Sequence, residues 1–189
     1  MFRPLDGIGR RATRRAPALF AAAALFLLLG CAPKAAQDML PPGRAEVSGV
    51  PFFAQEDHQC GPASLAGVLG FLGRPATPAE LAAEVFRPGI RGSLGLDMAL
   101  AARKRGLNAR FYEGSARDLA DSLRRGSPLI VLLDNGIGPV RHLHFAVATG
   151  YGPGGVRLNS DQDQGLVMSW DSFLNQWNKT GRWTLWITP

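Results

Sequence analysis

Apolar positions along this chain follow two regimes. Through residue 126 they recur at helical spacing between breakers, and beyond it they run in short continuous blocks. After Cys60-Gly61-Pro62, the residues Leu65, Val68, Leu69 and Leu72 stand at i, i+3, i+4 and i+7, which predicts a helix with one buried face. Pro62 suits the first helical position, where a missing N–H costs nothing. Ala63, Ala66, Gly67 and Gly70 are small enough to let a neighbouring element approach closely. Gly73-Arg74-Pro75 ends this helix, and Thr77-Pro78-Ala79-Glu80 is a capping box that opens another, running to about Phe86. Arg87-Pro88-Gly89 breaks it. A third helix is expected from Ser93 to near Gly106, with Leu96, Leu100 and Ala101 facing inward. Residues 108–112 read as a strand, and Ser115-Ala116-Arg117-Asp118 caps a helix that buries Leu119 and Leu123 and closes at Gly126.

Residues 128–133, Pro-Leu-Ile-Val-Leu-Leu, form an unbroken apolar run ended by Asp134-Asn135-Gly136, the length and branching of a buried strand. Residues 144–149 form a second strand. Residues 156–160 form a third, folded back on it through Gly152-Pro153-Gly154-Gly155. A short helix over 172–177 and a last strand over 183–188 follow, and residues 49–53 make an extended lead-in to the Cys60 segment. Helices first and an antiparallel sheet second define an α+β layout.

The chain has 189 residues, 46% hydrophobic and 19% charged, with a mean hydropathy of zero. That is globular composition, sized for one domain and a leader. The formal charge of +6 is concentrated at the start: Arg3, Arg10, Arg11, Arg14 and Arg15, offset by Asp6, supply +4, leaving +2 for the rest. No long basic run follows, so no nucleic-acid partner is expected. Behind the arginines lies the apolar run 16–30, about 15 residues, short of the roughly 20 a membrane-spanning helix needs but right for a signal-peptide core. Its end, Leu28-Leu29-Gly30-Cys31, resembles the lipobox of bacterial lipoproteins. The resemblance implies a signal peptide over 1–30, lipid on the Cys31 sulfur and a membrane partner through that lipid. With Ala32 next, it implies an outer-membrane lipoprotein facing the periplasm. Residues 31–46, Pro- and Ala-rich without periodicity, read as the tether, and 47–189 as the folded domain. An uncleaved signal anchor is the alternative.

Two cysteines are present. With Cys31 lipidated, Cys60 is left as a lone thiol in an oxidising compartment, without a disulfide partner. It stands at a helix start, where unpaired N–H groups and the helix dipole favour a thiolate, the nucleophilic form. The other reading is a small buried hydrophobe. A cysteine nucleophile needs a base and oxyanion donors. Of the three histidines, His144 opens an apolar strand and is held rigidly at the core's rim. His142 shares its face only if that strand extends backward. His58 lies too close in sequence to Cys60 to be aimed at it independently.

Gln55-x4-Cys60-Gly61-Pro62-Ala63, followed downstream by His144-Phe-Ala-Val-x-Thr-Gly, resembles the papain-like cysteine peptidases that process double-glycine leaders of bacteriocins. The likeness extends to their stand-alone lipoprotein relatives, through Pro51-Phe52-Phe53 and Gly92-Ser93-Leu94, and spans about residues 47–188. It implies a papain-like fold with N-terminal helices packed on a C-terminal antiparallel sheet. It also implies Cys60 as nucleophile, His144 as general base, and the Gln55 amide with the Cys60 N–H as oxyanion hole. No cofactor is implied. The orienting carboxylate is where this sequence departs. Counting forward from His144 reaches Ser160, and counting back from Gly165 reaches Asp161, the preferred candidate, with Asn159 next. The bacteriocin enzymes belong to ABC transporters on the cytoplasmic side, so their Gly-Gly substrate is not carried over to an exported chain. The expectation is an exported, lipid-anchored cysteine peptidase acting on a peptide or protein through an acyl-enzyme. Rivals are a cell-wall peptide amidase, against which the Gly-Pro after Cys60 counts, and a non-catalytic peptide-binding lipoprotein. A zinc site on His58, Cys60, His142 and His144 is a further rival.

Overall fold

The computed structural model describes residues 40–54 and 59–189. The expected signal peptide, Cys31, most of the tether, Gln55 and His58 lie outside the described residues. In chain order the elements are β1 (Ala45–Glu46), α1 (Cys60–Phe71), α2 (Pro78–Val85), β2 (Phe86–Arg87), β3 (Gly92–Ser93), α3 (Gly95–Lys104), β4 (Asn108–Glu113), α4 (Ala116–Arg124), β5 (Leu129–Asp134), β6 (Leu143–Gly152), β7 (Gly155–Ser160), β8 (Asp163–Met168), α5 (Trp170–Asn178) and β9 (Trp183–Thr188).

Local chemistry explains the helix starts. Thr77 accepts the Glu80 N–H while the Glu80 carboxylate accepts the Thr77 N–H at 2.8 Å, and Ser115 and Asp118 repeat the exchange at α4. The antiparallel sheet runs β4-β9-β5-β6-β7-β8, and β1 also pairs with β6. β5 meets β6 from Leu129↔Ala148 to Asp134↔Leu143. β1 continues on that same flank with Ala45↔Tyr151 and Glu46↔Gly150. Pro42 is fixed beside it, its carbonyl accepting the Tyr151 hydroxyl at 3.1 Å and an Arg124 N–H at 3.0 Å.

α1 is the helix that carries the cysteine, and it is buried along nearly its whole length, from Gly61 to Leu69. Its small residues answer to a specific neighbour. A Cβ on Gly67 would lie 2.6 Å from the Pro51 carbonyl oxygen, and one on Gly70 would lie 3.0 Å from Pro51 Cγ, so the lead-in chain crosses α1 where only glycine fits. On its other side Ser64 donates its hydroxyl to the Phe145 carbonyl of β6 at 3.3 Å. The core continues through Leu65, Leu69, Leu81, Leu119, Ile130 and Phe173, all essentially closed to solvent.

Two expectations need correction. α3 buries Met98, Ala99, Ala101 and Ala102, whereas Leu96 and Leu100 are 53% and 43% exposed. Close approach is the cause: a Cβ on Gly95 would sit 2.1 Å from the Trp183 ring, and Met98 Sδ is 3.6 Å from the Cβ position of Gly61. The helix turns its small residues and Met98 inward, and the leucines are left outside. Residues 163–168, read as no element, form the edge strand β8.

Candidate active site

Cys60 is the first residue of α1, and its side chain reaches β6, where the Phe145 N–H acts on the sulfur. Burial pushes the thiol up from its ordinary pKa. The N–H groups of Phe145, Gly61 and Cys60 itself pull it back, and the negative charge of Asp161 adds to the rise. The N–H groups at the helix start act in the expected direction, toward the thiolate, and desolvation is the larger influence.

His144 is the second residue of β6 and is 7% exposed. Its position is a matter of register. Val147 pairs with Asn159, so the next residue of β7, Ser160, lies diagonally across from His144 on the same face. The Ser160 Oγ is 2.9 Å from His144 Nε2. The other ring nitrogen, Nδ1, lies 3.5 Å from Asp161 Oδ1. Burial pulls the imidazole down from its ordinary pKa, opposed by the Asp161 charge and reinforced by His142. Both groups are thus held toward their neutral forms, thiol and imidazole.

The three candidates for the orienting residue separate cleanly. Asn159 faces away, its Oδ1 accepting the Gly165 N–H at 3.0 Å, and it is not an orienter of His144. Ser160 holds Nε2. Asp161 occupies the two-residue turn between Ser160 and Asp163 with φ 51, a left-handed conformation that aspartate tolerates. Its carboxylate reaches Nδ1, on the side of the ring opposite the Ser160 bond.

The loop between β5 and β6 delivers His144 and is tied by Asp134. This buried carboxylate accepts the N–H groups of Gly136 and His142 at 3.0 and 2.9 Å and pairs with Arg141 at 2.5 Å. The His142 N–H leads in holding Asp134 below the usual carboxylate range. His142 itself is exposed and hydrogen-bonds Asn135 through Nδ1. On the helix side, a Cβ on Gly61 would fall 2.5 Å from Ser93 Oγ, so the Gly92-Ser93 segment closes against the residue after Cys60. Among the described residues, no three His, Cys, Asp or Glu side chains are grouped to hold a metal ion. Gln55 lies outside the described residues.

Sequence reasoning underweighted Ser160, which a forward count from His144 does reach, and missed Asp134, which it read only as a strand terminator. No signal in one sequence marks the Phe145 backbone, since its part depends on α1 packing against β6.

A cysteine at the start of a buried helix, packed on the strand that carries a histidine, is an arrangement suited to thiol peptidases, and comparison with known proteins agrees. The profile of the Peptidase_C39 like family matches residues 47–184. The chain belongs to that family and is a cysteine peptidase. Its fold is shared with a C39-like peptidase from Bacillus anthracis, with a TM-score of 0.65 at 18% identity over 77% of this chain and 98% of that one. The peptidase domain of Streptococcus ComA, a bifunctional ABC transporter of a quorum-sensing pathway, gives 0.62 at 25% identity over 75% and 99%. A double-glycine motif protease from an AMS/PCAT transporter, solved with its leader peptide, gives 0.61 at 24% over 80% and 99%. No curated protein matches the chain.

Proposed function

We propose that this chain is an exported, lipid-anchored peptidase that cleaves a peptide bond by covalent catalysis at Cys60. The observation that carries the mechanism is the His144 imidazole, fixed at Nε2 by Ser160 2.9 Å away. With Nε2–H donating to the serine oxygen, Nδ1 presents its lone pair and serves as the base. The resting pair is neutral, so proton transfer from thiol to Nδ1 accompanies substrate binding. The thiolate attacks the carbonyl, and the tetrahedral oxyanion is held by the Cys60 N–H and the Gln55 amide. Nδ1–H then protonates the departing amine, leaving an acyl-enzyme that water hydrolyses by the reverse relay. Asp161 favours the imidazolium while it exists. A peptide substrate is supported by the structural neighbour solved with a leader peptide.

The signal peptide over 1–30, the lipid on Cys31 and the outer-membrane location rest on the Leu28-Leu29-Gly30-Cys31 sequence. Fractionation of cells expressing wild type and Cys31→Ser checks them: the wild type is expected with the outer membrane, the variant released from it. The peptidase chemistry is tested by incubating a peptide mixture with full-length protein and with Cys60→Ala. Cleavage is expected from the first and none from the second, with circular dichroism unchanged. Surviving cleavage in Cys60→Ala would end the proposal.

A further inference from the structure

Several carboxylates among the described residues meet arginines. Asp97 meets Arg87, Glu84 meets Arg105, and the buried Asp134 meets Arg141. Asp161 differs. Its side chain is 67% exposed, and its ionic partner is the His144 imidazole, which is neutral in the resting site. The two-residue turn, with φ 51 at Asp161, sets its carboxylate 3.5 Å from His144 Nδ1. The charge bears on Cys60 as well as on His144.

Its side of the site follows from the chemistry. An imidazole that takes the thiol proton must deliver one to the departing amine, so the leaving half of the substrate lies against that ring nitrogen. A carboxylate 3.5 Å from Nδ1 borders that half. We propose that Asp161 is a specificity-determining residue, selecting substrates with a lysine or arginine on the leaving-group side of the scissile bond. This rests on the peptidase reading for the meaning of the leaving group.

The test reads the charge at the sulfur without requiring turnover. Full-length Cys31→Ser protein, whose sole thiol is Cys60, is treated with a trimethylammonioethyl or a sulfonatoethyl methanethiosulfonate. The thiolate forms a disulfide with the reagent's sulfenyl sulfur, and methanesulfinate leaves with the electron pair of the broken bond. The ratio of cationic to anionic rates is expected to exceed that of 2-mercaptoethanol by about three- to tenfold. Asp161→Asn, which tolerates the same turn, is expected to return the ratio to the small-thiol value, and Asp163→Asn to leave it high. A ratio unchanged by Asp161→Asn overturns the proposal. Peptides with lysine or glutamate after the scissile bond give the second arm. Lysine is expected to be preferred by wild type and not by Asp161→Asn. Cleavage by wild type without that preference overturns the proposal and leaves the peptidase reading intact.

Discussion

At the residue scale Cys60 and His144 are both held toward their neutral forms. Burial raises the thiol and lowers the imidazole, and the N–H groups around the sulfur recover only part of the first shift. Alkylation of Cys60 by iodoacetamide is therefore expected to rise with pH and reach half-maximum above the ordinary thiol value of about 8.5. A midpoint well below that value would show an ion pair already formed at rest. Ser160→Asp supplies a carboxylate at Nε2 in place of a hydroxyl. It should stabilise the imidazolium and bring the alkylation midpoint down, by about one unit for each 1.4 kcal/mol of added interaction. The sequence led to Cys60 and His144 because each combines a reactive group with an unambiguous local setting, a helix start and a strand end. It did not separate Asn159, Ser160 and Asp161, since three adjacent polar residues at a strand end differ only in which face they take. Register decides that, and one residue of slip would exchange their roles.

At the scale of elements, α1 works as a positioning device because it is wedged. The Pro51 carbonyl crosses one side and the Phe145 backbone receives Ser64 on the other. Gly67→Val places a side chain where a carbonyl oxygen stands 2.6 Å from the Cβ position. Thermal unfolding should show it destabilised by about 1–3 kcal/mol, as overpacking does. On α3 the expectation is the reverse of a leucine-first reading. Leu100→Ala should cost less than about 1 kcal/mol, because 43% of the residue is already exposed. A loss of several kcal/mol there would mean that the leucine face is covered. The capping boxes, the continuous β5 and the final strand were legible because their signals are local. β8 was not, since an edge strand exposed along most of its length carries neither alternation nor an apolar run. The face of α3 was misread because leucine spacing suggests a core stripe, while close packing against Trp183 and α1 selects alanine and glycine instead.

For the whole molecule, burying a neutral histidine ties catalysis to stability. His144 has its folded-state pKa below the free value of about 6.5. Below that pH the unfolded chain binds the proton more readily, so the contribution present above about 6.5 is lost as pH falls through the folded-state value. Urea midpoints measured from pH 8 to pH 5 should decline for wild type, with a shallower slope for His144→Gln. Equal slopes would mean that the imidazole protonates in place at no cost. The global layout was legible from the order of helical and strand periodicities. The pairing of β1 with β6 was not, since two residues in a polar lead-in carry no pattern.

That pairing separates the lead-in chain from the site. Ala45 lies beside Tyr151, seven residues along β6 from His144, and a strand of that length covers about 24 Å. The lead-in is thus fastened to the end of β6 away from the histidine. Lengthening or shortening the chain before Ala45 is expected to leave the His144–Ser160 contact, and with it peptide cleavage in solution, unchanged.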